Sequence, residues 1–183
     1  LESTDTNAVE GEADQWATEA LIPGEIWEAS GLSQNATIKN ILGFAAKRSM
    51  PEISDITWKK WFETEFIPTT ITKPVKTVYL FIDELLNFNE AEIGIVSVKL
   101  LDRLGYSIKF IPHHESGRSF LSKGMLEEAR ELARKNIALY KDVITAETPL
   151  VGVEPSAILT FRDEYPDLVR GEEKEGAKRI ASH

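Results

Sequence analysis

Apolar and polar positions follow two rhythms along this chain, and the change comes near residue 75. Between about 21 and 74, Ile38, Ile41, Leu42 and Ala45 recur at helical spacing, followed by the aromatic cluster Trp58, Trp61, Phe62 and Phe66. Pro51, Pro68 and Pro74 punctuate that stretch. The texture predicts a helical arm that packs on something, then an extended linker. Before it, residues 1 to 20 carry Glu2, Asp5, Glu10, Glu12, Asp14 and Glu19 with little to bury, and read as an acidic lead-in.

From Val75 the pattern becomes strand-like. Val75 to Ile82 is a β-rich apolar run ending at Asp83. Asn89-Glu-Ala-Glu92 reads as a capping box opening a helix whose predicted buried stripe is Ile93, Val96, Leu100 and Leu104, stopping near Gly105. A second strand, Ser107 to Ile111, ends at Pro112. Ser122 is the predicted cap of a helix with stripe Met125, Ala129, Leu132, Ala133 and Tyr140. A third strand, Pro149 to Val153, leads to Ser156, the predicted cap of a helix broken at Pro166. Strand and helix alternating with short connections imply parallel pairing, hence an α/β fold with a three-layer, mainly parallel, Rossmann-like sheet behind an N-terminal helical arm. The unit spans 75–170, and 171–183 reads as the start of a further helix. With three strands and no initiating Met, the chain is expected to be a piece of something larger.

Composition narrows the function classes. A formal net charge of -9 opposes binding to nucleic acid or anionic lipid. The basic residues Lys39, Lys47, Arg48, Lys59 and Lys60, interleaved with Trp58 and Trp61, read as a solvated helical face. No run approaches the ~18 apolar residues of a membrane span, and a cytoplasmic location is expected. The chain has no cysteine, so it offers no thiolate nucleophile or metal ligand.

In an open parallel sheet, ligands sit beyond the carboxyl ends of the strands. Three polar loops meet there: Asp83 to Asn89, His113 to Gly124, and Glu154 to Ser156 with Arg162 and Asp163 beyond. In the second loop, Arg118 is a forked donor, and Ser122 with Lys123 at a helix N-terminus can hold a carboxylate or phosphate. Equally, Arg118 can pair with Glu115, Asp83 or Glu154 and tie the loops together. His113, His114 and Glu115 invite a metal reading, but adjacent side chains on an extended segment point apart, and no metal site is assigned. Ser116 or Ser156 with His114 and Asp83 assembles a hydrolase triad on paper, without a Gly-x-Ser-x-Gly elbow. No dinucleotide-binding glycine motif or phosphate-binding P-loop is present.

The loop residues also resemble a known family. Gly117-Arg118-Ser-Phe-Leu-Ser122-Lys123-Gly124-Met-Leu-Glu-Glu-Ala-Arg is similar to the stretch after the paired cysteines in the cysteine-rich (Cys-Cys-Gly) domain. That domain occurs in heterodisulfide reductases, in the iron–sulfur protein of glycolate oxidase, and in large FAD-linked oxidases of D-lactate dehydrogenase type. Asp83, Glu154-Pro155-Ser156 and Arg162-Asp163-Glu164 fit the last group, as do Leu42-Gly-Phe and Arg48-Ser-Met-Pro51 upstream. The resemblance covers about residues 38 to 169. Glu115 and Ser116 stand where that family has its paired cysteines, and Ala157 stands where it has the cysteine after Glu-Pro-Ser.

The resemblance implies a fragment of an FAD-dependent, iron–sulfur-containing oxidoreductase acting on a 2-hydroxyacid, with this repeat lacking cluster-ligating thiolates. FAD and a cluster would belong to the parent protein and neither to this piece, whose partners would be flavin and ferredoxin-type modules and a second repeat. The alternative is a non-catalytic docking or assembly module. Candidate catalytic residues are His114 for proton transfer, Arg118 for anion binding, and Asp83. Candidate substrate- or anion-binding residues are Asn87, Glu115, Ser116, Gly117, Lys123, Glu154 and Ser156.

Overall fold

The structure is a computed structural model that describes residues 52–69 and 72–183. The expected lead-in over 1–20, the arm up to residue 51, and Lys39, Lys47 and Arg48 lie outside the described residues. Helix α1 (Trp58–Thr64) comes first, with the Thr57 hydroxyl accepting from the Lys60 N–H. Then follow β1 (Thr77–Phe81), α2 (Glu84–Phe88), α3 (Ala91–Arg103), β2 (Ser107–Lys109), α4 (Arg118–Ser122), α5 (Leu126–Tyr140), β3 (Leu150–Gly152), α6 (Pro155–Asp163), α7 (Tyr165–Leu168) and α8 (Gly171–Ala181).

All three strands pair in parallel in the order β2-β1-β3. Thr77 is opposite Ser107 on one side, and Tyr79 is opposite Leu150 on the other. Alternate β1 side chains feed two cores. Leu80 and Ile82 pack with Trp58, Trp61, Leu86 and Val98 on one side. Phe81 packs with Ala133, Ile137, Tyr140, Phe161 and Ile180 on the other. The molecule is thus helix on sheet on helix, an α/β arrangement, but the sheet is smaller than a full Rossmann fold. Pro112, which has no N–H to donate, follows closely on β2. At β3, Ile158 presses so near Gly152 that a Cβ there would lie 2.6 Å from its own Cβ.

Several local expectations are corrected. The stripe Ile93, Val96, Leu100 and Leu104 faces solvent, and α3 instead buries Ala91, Gly94 and Val98. The reason is close approach: the Trp58 ring occupies the space a Cβ on Gly94 would need, 2.5 Å from Cδ1. The Asn89–Glu92 capping box does not form. Ser54 supplies the cap from a distance, its hydroxyl accepting from the Ala91 N–H at 3.1 Å, while Asn89 donates to the Glu52 carbonyl. Ser122 and Lys123 end α4 rather than opening α5. Glu154, not Ser156, caps α6 and accepts from the Ser156 N–H at 3.0 Å, with Pro155 in the first turn. Trp58 and Trp61 are core residues, so they offer no exposed rings beside Lys59 and Lys60.

Candidate functional site

With the order 2-1-3, the chain leaves β1 towards β2 and later returns to its other flank, so the crevice opens at the carboxyl ends of β1 and β3. Asp83 lies two residues past β1 and is almost wholly buried; one carboxylate oxygen accepts from the Leu85 N–H at 2.9 Å and the Leu86 N–H at 3.2 Å. It therefore caps α2, a short helix inside what reads in the sequence as a loop. Burial raises its pKa, against the lowering effect of those N–H bonds.

The His113–Ser116 segment is fixed from below by two buried side chains. Asn136 on α5 accepts from the His114 N–H at 3.1 Å and donates to the Glu115 carbonyl at 2.8 Å and the Tyr165 hydroxyl at 3.0 Å. Tyr165 donates in turn to the Ser116 carbonyl at 2.9 Å. His113 turns inward and stacks on Phe81, with ring centroids 4.2 Å apart. Its Nε2 accepts from the Ile82 N–H at 3.2 Å, so Nδ1 carries the proton and donates to the His114 carbonyl at 2.8 Å. Burial lowers its pKa to about 4. The His114 side chain is exposed. Gly117 sits at φ 77°, the left-handed conformation that starts α4, and Arg118 follows it.

Two clefts adjoin across Asp83, Glu84 and Glu115. The larger, about 620 Å³, takes Asn87, His113 and His114 together with Lys59, Phe120, Glu127, Glu128 and Glu131. The smaller, about 280 Å³, takes Ser116, Arg118, Glu154, Ser156 and Ala157. Of the residues singled out in the sequence, Asp83 and Glu115 line both clefts, and Gly117 and Lys123 line neither. Arg118 reaches Glu164 at the end of α6, Nη1 to Oε1 2.7 Å, a partner other than the three considered from sequence. Asn87 is buried and accepts from the Lys59 N–H at 3.1 Å. Ser156 donates its hydroxyl to Glu154.

Sequence reasoning missed Glu84. Burial lifts its pKa from 4.5 to about 7, helped by the charges of Glu115 and Asp83. One of its carboxylate oxygens is buried without a hydrogen-bond partner. A carboxyl group in that state can hold or release a proton near neutrality. The available signal was its place next to Asp83 at a strand end. Glu127, Glu128 and Glu131 share one flank of α5 by their three- and four-residue spacing; Lys59, far away in sequence, gave no signal.

The donor set decides what the crevice can hold. Glu115 offers hard oxygen, Ser116 a hydroxyl and Ala157 a methyl group, and these do not fit a thiolate-held iron–sulfur cluster. Among the described residues no helix is long and apolar enough to cross a membrane.

No family profile and no solved structure matches the chain. It is similar to D-2-hydroxyglutarate dehydrogenase of Escherichia coli strain K12, 29% identical over 99 residues, which cover 54% of this chain and 10% of that protein. It is also similar to one component of the anaerobic glycerol-3-phosphate dehydrogenase of the same strain, 20% identical over 130 residues, covering 70% and 32%. Lactate utilization protein A of Geobacillus thermodenitrificans strain NG80-2 is 29% identical over 109 residues, covering 57% and 43%. The chain thus spans about a tenth of the D-2-hydroxyglutarate dehydrogenases it matches. Its distant relatives are dehydrogenase-related, and their names fit the cysteine-rich-domain resemblance.

Proposed function

We propose that this chain is one α/β repeat of a larger FAD-linked, iron–sulfur-containing oxidoreductase acting on a 2-hydroxyacid, and that the repeat retains the crevice of a cysteine-rich domain without its thiolates. One observation carries the reading. The adjacent Glu115 and Ser116 and the remote Ala157, at the positions where the resemblance puts the family's cysteines, line one cleft beside Asp83. The similarity to D-2-hydroxyglutarate dehydrogenase supports the 2-hydroxyacid class.

In this reading the flavin and any cluster belong to other modules of the parent, and this repeat supplies a polar crevice. Arg118 would exchange Glu164 for a substrate or acceptor carboxylate, with Asn87, Glu154, Ser156, Gly117 and Lys123 shaping the surroundings. His114, exposed at the cleft, would transfer a proton. The reading of a docking or assembly module is favoured by the engagement of Arg118 with Glu164, which leaves the loops tied without a ligand. Arg118→Ala and His114→Ala in the parent protein separate the two: lost turnover supports the crevice, and unchanged turnover with weakened assembly supports docking.

The convergence itself is tested in this chain with Co2+ as probe. Glu115→Cys, Ser116→Cys and Ala157→Cys combined should bind one Co2+ per chain with thiolate charge-transfer absorption, which the parent chain lacks. A triple variant that folds and shows no such band would overturn the alignment of these positions.

A further inference from the structure

Glu84 stands in the partition between the two clefts. Asp83, Glu84, Phe88 and Glu115 line both, so these four side chains separate one from the other. The Oε2 atom of Glu84 is buried and accepts no hydrogen bond. Among the described residues no ion pair reaches this carboxyl group. Arg118 is held by Glu164, and Lys59 of α1 shares the larger cleft without pairing with it. An ionised group in that position has neither water nor a donor on one oxygen, and burying a charge so poorly compensated is costly.

The surroundings add to that cost. Glu115 repels a charged Glu84 from the loop, and so does Asp83, the cap of its own helix. Glu154 at the start of α6 acts on Asp83 in the same sense. Across the larger cleft α5 presents Glu127, Glu128 and Glu131, and no α3 side chain lines either cleft. The Ser116 N–H favours the charged form but does not outweigh burial. On the far side of the loop the anchors keep their charge state. Burial holds His113 neutral above about pH 4, and Tyr165, whose hydroxyl donates to the Ser116 carbonyl, is held neutral too. The loop is therefore fixed to α5 and α7 by neutral groups and meets on its other side one that titrates.

We propose that Glu84 is a proton-operated latch: protonated, it closes the partition, and ionised, its side chain turns out to water and joins the two clefts. The Ser116 N–H then loses its acceptor, and Ser116, wholly buried when the latch is closed, is reached from both clefts. The closed form holds the Glu84 proton up to about pH 7, whereas a side chain in water releases it near 4.5. The open fraction therefore climbs as pH rises from 4.5 to 7 and levels off above, with a ceiling of about 300-fold set by that difference. The latch is a property of the fold and stands independently of the proposed activity.

Amide hydrogen exchange of the full chain between pH 5 and 7.5, with ordinary base catalysis divided out, tests the latch. Opening read at the Ser116 amide should rise at least about tenfold in the parent chain and stay flat in Glu84→Gln. It should also depend little on dilute urea, because a side-chain swing exposes little surface, unlike exchange at the buried Ala133. His114, the exposed titratable group of the loop, is controlled for by His114→Gln, which should leave the rise intact. Should Glu84→Gln fail to fold, Glu115→Gln removes a repelling charge and should bring the plateau to lower pH. A flat profile in the parent chain, an equal rise in Glu84→Gln, a rise abolished in His114→Gln, an unmoved plateau in Glu115→Gln, or a urea dependence as steep as that of Ala133 would each overturn the proposal.

Discussion

Two neighbouring side chains at the strand ends oppose each other in their response to pH. Glu84 has its folded pKa raised from 4.5 to about 7, so the folded state holds its proton more tightly and stability falls as pH rises through that window. His113 has its pKa lowered from 6.5 to about 4, so stability falls as pH drops through that one. Between pH 4.5 and 6.5 the two largely cancel in the parent chain. Glu84→Gln separates them. It should be more stable than the parent by about 2–3 kcal/mol at pH 8 and by little at pH 4.5, measured by urea unfolding. An equal difference at both pH values would mean that Glu84 ionises normally. Asp83 and Asn87, read from sequence as chemical groups, are also structural: one caps α2 and the other receives the Lys59 N–H. Which role an Asp or Asn at a strand end takes depends on the N–H groups around it, and those come from other segments.

The order of strands and long helices followed the hydrophobic pattern, whereas the short helices α2 and α4, the caps and the buried faces did not. The three strands and helices α3, α5 and α6 lie close to where the periodicity put them, whereas α2 and α4 stand inside stretches that read as loops; α3 ends just before Gly105, whose φ is 86°. The cap of α3, however, comes from Ser54, thirty-seven residues upstream of Ala91. Ser54→Ala should cost about 1 kcal/mol in urea unfolding and accelerate exchange of the Ala91 amide. If that amide stays protected, the local capping box is the real cap. The α3 stripe was legible as apolar but assigned to the wrong side, because small Gly94 and Ala91 admit the Trp58 ring and take the inner position. Hydrophobic periodicity records which residues are apolar; close approach selects the side that meets the core.

At the scale of the whole molecule, β1 alone among the described strands has partners on both edges, and its alternate side chains serve both cores. The layers should therefore unfold together. Leu80→Ala, on the α3 side, should cost about 2–5 kcal/mol, keep a single unfolding transition, and reduce amide protection in α8 as much as in α3. Protection lost on one side alone would mean that the layers are independent units. The larger cleft gathers Asp83, Glu84, Glu115, Glu127, Glu128 and Glu131, so the net charge of -9 is partly focused where the strands end.

The sequence by itself determined the α/β alternation, the polar strand-end loops and the absence of thiolate chemistry, because each rests on residue type and spacing within one short segment. It could not determine that Glu115, Ser116 and Ala157 share a cleft, that Arg118 answers to Glu164, that Asn136 and Tyr165 hold the loop between them, or that Glu84 ionises late. Those facts depend on distance between segments remote in the chain and on exclusion of water from a carboxyl group. Both arise only when the helices close over the sheet.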